Sequence, residues 1–438
     1  MTRRLFLTVC INSTGYVSGS HRLGAGSPLR FAEYEHYLNA TKIAHQGVFD
    51  AVFLSDHPAL MTDPSQRPLH SLDPIVLFTA LAAQVPDIGF ELTASSTYNS
   101  PYNLARRVAT LDAISGGRTI VNIVSSFNPA VAANFGSAPL PPRDARYRQA
   151  HEFMAVFNGL FESWELRASA SPEAAWDASG ARRLDHKGEF YSVAGPLNVP
   201  VGPQGRPVIA QAGASNDGID FAAAHGEIIY CALLSLQAAK EFGSEVRTRA
   251  QRSGRSRSAV KIVPGSCRCS GARARKRSSA TRRSARRAAR RPATALREGC
   301  GHRLCVARPG YAAECRPVPI LHRPAAAGRL HRGAGGVDPS RQNHGAAVRA
   351  PPRGWASTGD RDAGRGCGGH RLVVGGGRGG WLQHPAARLP DDLSQFVEEV
   401  IPRLQRRGAF PTRYEGTTIR ERFGLPLPVV GEALRAAP

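Results

Sequence analysis

Residues 92–136, LTASSTYNSPYNLARRVATLDAISGGRTIVNIVSSFNPAVAANFG, hold two strand-like runs around a helix that opens on Pro101-Tyr102-Asn103. This is a β-α-β unit, and each of its strands ends in small polar residues. Parallel sheets place ligands at the carboxyl ends of their strands, and Thr93, Ser95, Ser96, Thr97, Asn122, Ser125 and Ser126 fall there. Serine and threonine also cap helices and close turns. Their concentration after two successive strands favours a site that can hold a planar, polar cofactor.

The same alternation runs through the first 265 residues. Apolar runs at Leu5–Cys10, Ala51–Leu54, Ile88–Leu92, Thr119–Val124, Val208–Ala212, Ile228–Leu233 and Val260–Val263 are short and unbroken, as strands buried on both faces are. Helical patterns over Phe31–Gln46, Asp73–Ala83, Asn103–Ile114, Arg143–Trp164, Gly218–His225 and Leu236–Arg252 separate most of them. Such alternation predicts an α/β fold with right-handed crossovers: a (β/α)8 TIM-type barrel with insertions, incomplete at its last strands. A doubly wound sheet would need a glycine-rich phosphate loop after an early strand. Neither GxGxxG nor GxxxxGK[ST] follows Leu5–Cys10 or Ala51–Leu54.

Several motifs together resemble one family. They are Val52-Phe53-Leu54-Ser55-Asp56-His57-Pro58-Ala59-Leu60, the Thr93–Arg107 run, Leu111-Asp112-Ala113-Ile114-Ser115-Gly116-Gly117-Arg118, Asn122-Ile123-Val124 and Asn128-Pro129-Ala130. They look like the bacterial-luciferase-like flavin monooxygenases, in the branch containing nitrilotriacetate monooxygenase component A, the dibenzothiophene-sulfone monooxygenase and the pristinamycin synthase subunit. Gly195-Pro196-Leu197-Asn198-Val199-Pro200, Gln211-Ala212-Gly213-Ala214-Ser215 and the tail motifs Leu404-Gln405-Arg406-Arg407-Gly408 and Tyr414-Glu415-Gly416-Thr417-Thr418 extend the resemblance. It covers residues 3–265 and 388–425.

The resemblance implies reduced FMN as a diffusible cosubstrate, a flavin C4a-hydroperoxide formed with oxygen, and a small sulfur- or nitrogen-containing organic substrate. It also implies a separate NAD(P)H:flavin reductase as partner and a homo-oligomer. A barrel mouth with hydroxyls and amides, and without GxSxG, HExxH or an obvious carboxylate pair, suits chemistry that belongs to a cofactor. The expected flavin contacts are Asp56 at the end of the second strand, Thr93 at the end of the third, with Ser95 and Thr97 as substitutes if the register slips, and Ser215 after the fifth, where a hydroxyl and free amides bind phosphate. For Asp56 the competing role is a helix N-cap. Arg143 stands where the family usually has His, with Tyr147 one helical turn later on the same face. Arginine there keeps a donor and adds a fixed charge. His57, beside Asp56, is either a substrate-facing group or an ordinary loop residue.

Between the two matching parts the chain changes character. Residues 264–380 carry 25 Arg and Lys against 5 Asp and Glu, so +20 of the net +23 is local. The stretch also holds Cys267, Cys269, Cys300, Cys305, Cys315 and Cys367, and lacks sustained periodicity. A nucleic-acid-binding insertion would explain Arg277–Arg291, and a disordered linker would fit the composition. Neither explains why the family's own barrel text vanishes. A coding-frame error does. Read from the third base of each preceding codon, Ser266–Arg277 can spell Leu-Leu-Pro-Val-Phe-Gly-Arg-Thr-Arg-Ala-Glu-Ala, and Trp381–Pro385 read one base later can spell Gly-Phe-Asn-Ile-Pro. Both are family-like. Residues 1–265 are therefore expected to hold barrel strands one to seven, 266–385 to be out of frame, and 386–438 to form the C-terminal helix and tail. The chain is then either an active oxygenase or an inactive remnant.

This expectation disposes of other signals. Cys300-Gly301-His302-Arg303-Leu304-Cys305 with Cys315 lacks the paired CxxC of a zinc site, and the Gly375–Gly380 run lacks the Lys-Ser/Thr of a phosphate loop. No metal and no nucleic-acid partner are expected. No apolar run approaches the ~18–20 residues of a membrane span, and the first apolar run, broken by Asn12 and Ser13, reads as a strand instead of a signal peptide. A cytoplasmic protein without a membrane partner is expected.

Overall fold

Eight parallel strands form one curled sheet whose hydrogen-bonded order is β10-β1-β2-β3-β4-β7-β8-β9. The strands are β1 (Leu5–Cys10), β2 (Ala51–Leu54), β3 (Gly89–Ser95), β4 (Thr119–Val124), β7 (Val208–Gln211), β8 (Ile228–Cys231), β9 (Lys261–Pro264) and β10 (Gly380–Pro385). A separate antiparallel hairpin pairs β5 (His186–Lys187) with β6 (Ser192–Val193). The computed structural model describes residues 5–15, 29–59, 72–136, 139–164, 180–213, 215–231, 236–264, 380–385 and 388–428, with backbone alone for 380–385. All belong to one unit, Met1–Gly271 with Arg371–Pro438. The basic run Arg277–Arg291, the six cysteines around it and most of the expected out-of-frame segment lie outside the described residues.

The seven expected strands are present, and the parallel α/β barrel architecture is as predicted. β10 falls inside the segment expected to be out of frame. It pairs with β1 from Leu5↔Gly380 to Cys10↔Pro385 and also comes into backbone contact with β9, so the two ends of the sheet approach each other.

Helices α1 (Tyr34–Gln46), α2 (Pro74–Ala82), α3 (Pro101–Ser115), α4 (Pro129–Asn134), α5 (Arg143–Phe161), α6 (Asn216–His225) and α7 (Leu236–Arg252) connect the strands. Their starts are written in the sequence. Asp73 accepts from Ile75 N and Val76 N at 2.9 and 3.0 Å, and Pro74 sits where a helix needs no donor. Asn128 caps α4 the same way, and α3 stops at Gly116, whose φ of 67° favours glycine. The expected helix over Phe31–Gln46 is instead a short 3-10 turn, Arg30–Ala32, followed by α1, because Glu33 is extended.

Strand alternation decides which side chains face inward. Phe90, Leu92 and Ala94 of β3 pack in the large core under the helices. Glu91 and Thr93 therefore point the other way, into the barrel. There Phe6, Ala51, Ile120, Ala210, Ile228, Tyr230 and Val263 form a second apolar cluster with Ile419 and Phe423 of the tail.

The tail plugs the amino-terminal end of the barrel. Phe423 packs edge-on against Phe6 with ring centroids 5.3 Å apart, and Ile419 N donates to Gly117 O just before β4. A Cβ at Gly89, the first residue of β3, would lie 2.5 Å from Ile419, so the approach requires glycine there. With that end closed, ligand access is left to the carboxyl end.

Candidate functional site

Four strands carry polar groups at the open end of the barrel. Thr93 and Asn122 are register partners on β3 and β4, and Asn122 Nδ2 donates to Thr93 Oγ1 at 3.1 Å. Asn12 Oδ1 accepts from Ser55 N at 2.9 Å, which ties the exit of β1 to that of β2. Ser95 Oγ lies 2.8 Å from Ser126 Oγ and accepts from Thr97 N and Tyr98 N, closing the turn before α3. Arg146 of α5, itself buried, donates through Nη1 to Ser126 O and through Nε to Pro141 O, which fixes the β4–α4 connection from above.

Thr93 does not end its strand. The small polar residues after it continue the ladder with β4 as far as Ser95↔Val124, so Thr93 sits within β3, two residues from its end. Asp56 lies two residues past β2, half-buried in a loop, and caps no described helix; Asp73 caps α2 instead. Burial, with the nearby Asp73 charge, pushes the Asp56 carboxyl up to about 6, against a lowering hydrogen bond from the His57 backbone. Asn134 Nδ2 donates to Pro58 O at 2.9 Å, so α4 steadies this same loop.

The other three expected residues gather at the start of α6. Ser215 is its N-cap, accepting from Gly218 N at 3.2 Å. Arg143 Nε pairs with Asp217 of that first turn at 2.6 Å, and its guanidinium lies over the Tyr147 ring at 5.9 Å. Tyr147 in turn packs edge-on against Phe221, one helical turn beyond Asp217, with ring centroids 6.2 Å apart. Arg143 and Tyr147 thus share a helix face as their spacing requires. Asp217 was not foreseen as the partner that neutralises Arg143.

Four side-chain atoms on or just after β3 and β4 are shielded from solvent and have no hydrogen-bond partner among the described residues: Thr97 Oγ1, Tyr98 OH, Asn122 Oδ1 and Ser125 Oγ. Folded proteins rarely leave such groups unpaired, and Asn122 Oδ1, on the Thr93 side of the sheet, is one that a ligand or water in the barrel would complete. Tyr98 stacks on Phe135 at 4.9 Å, and Phe127 and Phe135 expose large apolar surface nearby in sequence.

Two interior residues escaped the sequence reading. Glu91 of β3 and Tyr230 of β8 meet across the barrel, with Tyr230 OH donating to Glu91 Oε2 at 2.5 Å. The available signal was a carboxylate inside an otherwise unbroken apolar run. Among the described residues no group of three or more His, Cys, Asp and Glu is placed to hold a metal ion, and no helix is long and apolar enough to cross a membrane.

Comparison with known proteins identifies the family. The family model described as Luciferase-like monooxygenase matches residues 12–341. N-acetyl-S-(2-succino)cysteine monooxygenase of Bacillus subtilis (strain 168) is 31% identical, with 98% of each chain covered. Nitrilotriacetate monooxygenase component A of Aminobacter aminovorans is 31% identical, with 95% of each covered. Among solved structures, the EDTA monooxygenase (EmoA) from Chelativorans sp. BNC1 superposes with a TM-score of 0.72 at 29% identity, over 98% of this chain and 100% of that one.

Proposed function

Because the chain belongs to the luciferase-like monooxygenase family, we propose that it is the oxygenase of a two-component system, using reduced FMN and dioxygen to oxidise a small organic substrate containing sulfur or nitrogen. The observation that supports this reading best is Asn122 Oδ1, which is shielded beside Thr93 towards the ligand end of β4 and has no hydrogen-bond partner among the described residues. Reduced FMN supplies, when bound, the electrons that activate dioxygen.

The chain's own residues bind, orient and shield. Thr93 Oγ1 already accepts from Asn122, so its proton is available to a ring acceptor, while Asn122 Oδ1 accepts from a ring N–H. Asp56, beyond β2, offers a carboxylate to the polar edge of the same ring. Arg143, the Ser215 hydroxyl and the first turn of α6 form the phosphate end, where a helix N-terminus and a guanidinium both favour an anion. Arg143 has to exchange Asp217 for phosphate or share itself between them. Tyr147, held against Phe221, supports the guanidinium by its ring face. The Tyr98–Phe135 stack and the β5–β6 hairpin keep water from the ring. Tyr191 of that hairpin reaches Ser96 O at 3.4 Å.

A separate NAD(P)H:flavin reductase belongs to the same reading, since the sequence has no nicotinamide-binding loop after its early strands and a similar protein is named component A. So do a homo-oligomeric assembly and a cytoplasmic setting, where such a reductase works. Anaerobic titration of the full chain with dithionite-reduced FMN tests the binding step. Saturable one-to-one binding is expected, and absence of binding would remove the proposal.

A further inference from the structure

Glu91 is fully buried in the barrel interior, one side-chain layer below Thr93 on the same face of β3, a separation of roughly 7 Å along a strand. Its strand neighbours at that level are Phe53 of β2 and Ile120 of β4. Tyr230 reaches it from β8, which is not adjacent to β3 in the sheet, and Phe53 lies beside the Tyr230 ring at 6.1 Å. The phenol occupies Oε2 only. Oε1 is shielded from solvent and has no hydrogen-bond partner among the described residues.

A carboxyl placed in an apolar layer with half its bonding capacity unused is a poor packing element, since a leucine would fill the space without a desolvation penalty. Its position suggests a different role. It lies beneath the polar end where the flavin ring is proposed to bind, and the reduced ring is an anion near neutral pH whereas the oxidised ring is neutral. We propose that Glu91, with Tyr230 as its positioning partner, is a specificity-determining residue of the flavin chamber whose charge sets how strongly the chamber prefers the reduced ring over the oxidised one. The inference rests on the flavin reading above.

The electrostatics follow from the surroundings. Burial pushes the Glu91 carboxyl up to about 8, and the Tyr230 hydrogen bond works in the lowering direction. Tyr230 itself is driven well above the usual phenol range by burial and then by Glu91, and the groups acting on it from β1 are Thr8 and Cys10. Among the described residues no cation is recorded acting on either group. At neutral pH the carboxyl is protonated and adds no repulsion to an anionic ring. Once ionised it places a second negative charge in the same low-dielectric interior. For two unit charges about 10 Å apart at the effective dielectric of a buried site, that repulsion weakens binding on the order of tenfold.

The test is a pair of titrations of the full chain, one with oxidised FMN and one with dithionite-reduced FMN under anaerobic conditions, across neutral to alkaline pH, for wild type, Glu91→Gln and Tyr230→Phe. In wild type the preference for reduced over oxidised FMN is expected to fall roughly tenfold as pH rises through about 8. Glu91→Gln is expected to keep a preference that does not fall there. Tyr230→Phe, lacking the hydrogen bond that favours the carboxylate, is expected to move the fall to higher pH. A wild-type profile in Glu91→Gln, or an unmoved midpoint in Tyr230→Phe, would overturn the proposal. Failure of wild type to bind either redox form would instead overturn the flavin reading on which it stands.

Discussion

Arg420 forks across Glu227 with Nη1 at 2.7 Å from Oε1 and Nη2 at 3.2 Å from Oε2, both side chains buried where the tail meets the entry to β8. The same guanidinium donates to Pro426 O and Arg206 O, while Glu227 Oε2 accepts from Ile209 N of β7. One ion pair therefore joins the tail to the amino-terminal ends of two strands, opposite the ligand end. Removing Arg420 strands a carboxylate whose nearest remaining cation is Arg206 at 3.9 Å. Arg420→Met is expected to lower unfolding free energy by about 3–5 kcal/mol, measured by urea denaturation. A loss within experimental error would show that the tail does not depend on this pair.

The pair also predicts an acid limb of stability. Burial opposes ionisation of Glu227, yet the Arg420 and Arg206 cations hold its carboxyl down at about 2. A carboxyl lower in the folded chain than its ordinary 4.5 contributes stability that is present above that pH and lost as pH falls toward 2. Thermal melts of wild type should decline through this window, and Glu227→Gln should decline less steeply there. Parallel melts would place the acid sensitivity elsewhere.

Arg143 distinguishes the phosphate end from the ring end. Arg143→Ala is expected to weaken binding of FMN by about 1–3 kcal/mol, the usual worth of a hydrogen bond to a charged group, and to leave riboflavin binding nearly unchanged. Asp217→Asn, which frees the guanidinium, should strengthen FMN binding and alter stability little, because the pair is half exposed. Equal losses for FMN and riboflavin in Arg143→Ala would move the phosphate away from α6.

Asp56→Ala at the ring end and Ser215→Ala at the phosphate end are each expected to weaken binding of reduced FMN by about 1–3 kcal/mol. Ser215→Ala carries a separate cost to α6, whose N-cap it removes, so its melt has to be read beside its titration. Titrations unchanged in both variants would put the flavin elsewhere.

Much of this architecture was legible in the sequence because strands buried on both faces have to be short apolar runs. Leu5–Cys10, Ala51–Leu54 and Thr119–Val124 appear with the expected bounds. β3 runs on to Ser95 because Thr93 and Ser95 still have ladder partners, which hydropathy does not register. The β5–β6 hairpin was not foreseen, since strands of two residues carry no periodicity. Partners were the least legible part of the site. That Asp217 neutralises Arg143, and that Tyr230 meets Glu91, follows from which strands and helices become neighbours, and no local pattern contains it.

The segment 266–385 we propose to be out-of-frame text. Resequencing the gene across codons 264–388 is expected to return at least two insertions or deletions that restore family-like residues at both ends. An unaltered reading would favour a genuine basic insertion.

In the proposed reaction this chain consumes reduced flavin made elsewhere. The direct measurement supplies the full chain with NADH, oxidised FMN, ¹⁸O-labelled dioxygen and a panel of sulfur- and nitrogen-containing substrates, with and without a separate flavin reductase. Product carrying one labelled oxygen atom is expected only when the reductase is present. Labelled product formed from NADH and FMN by the chain alone would contradict it.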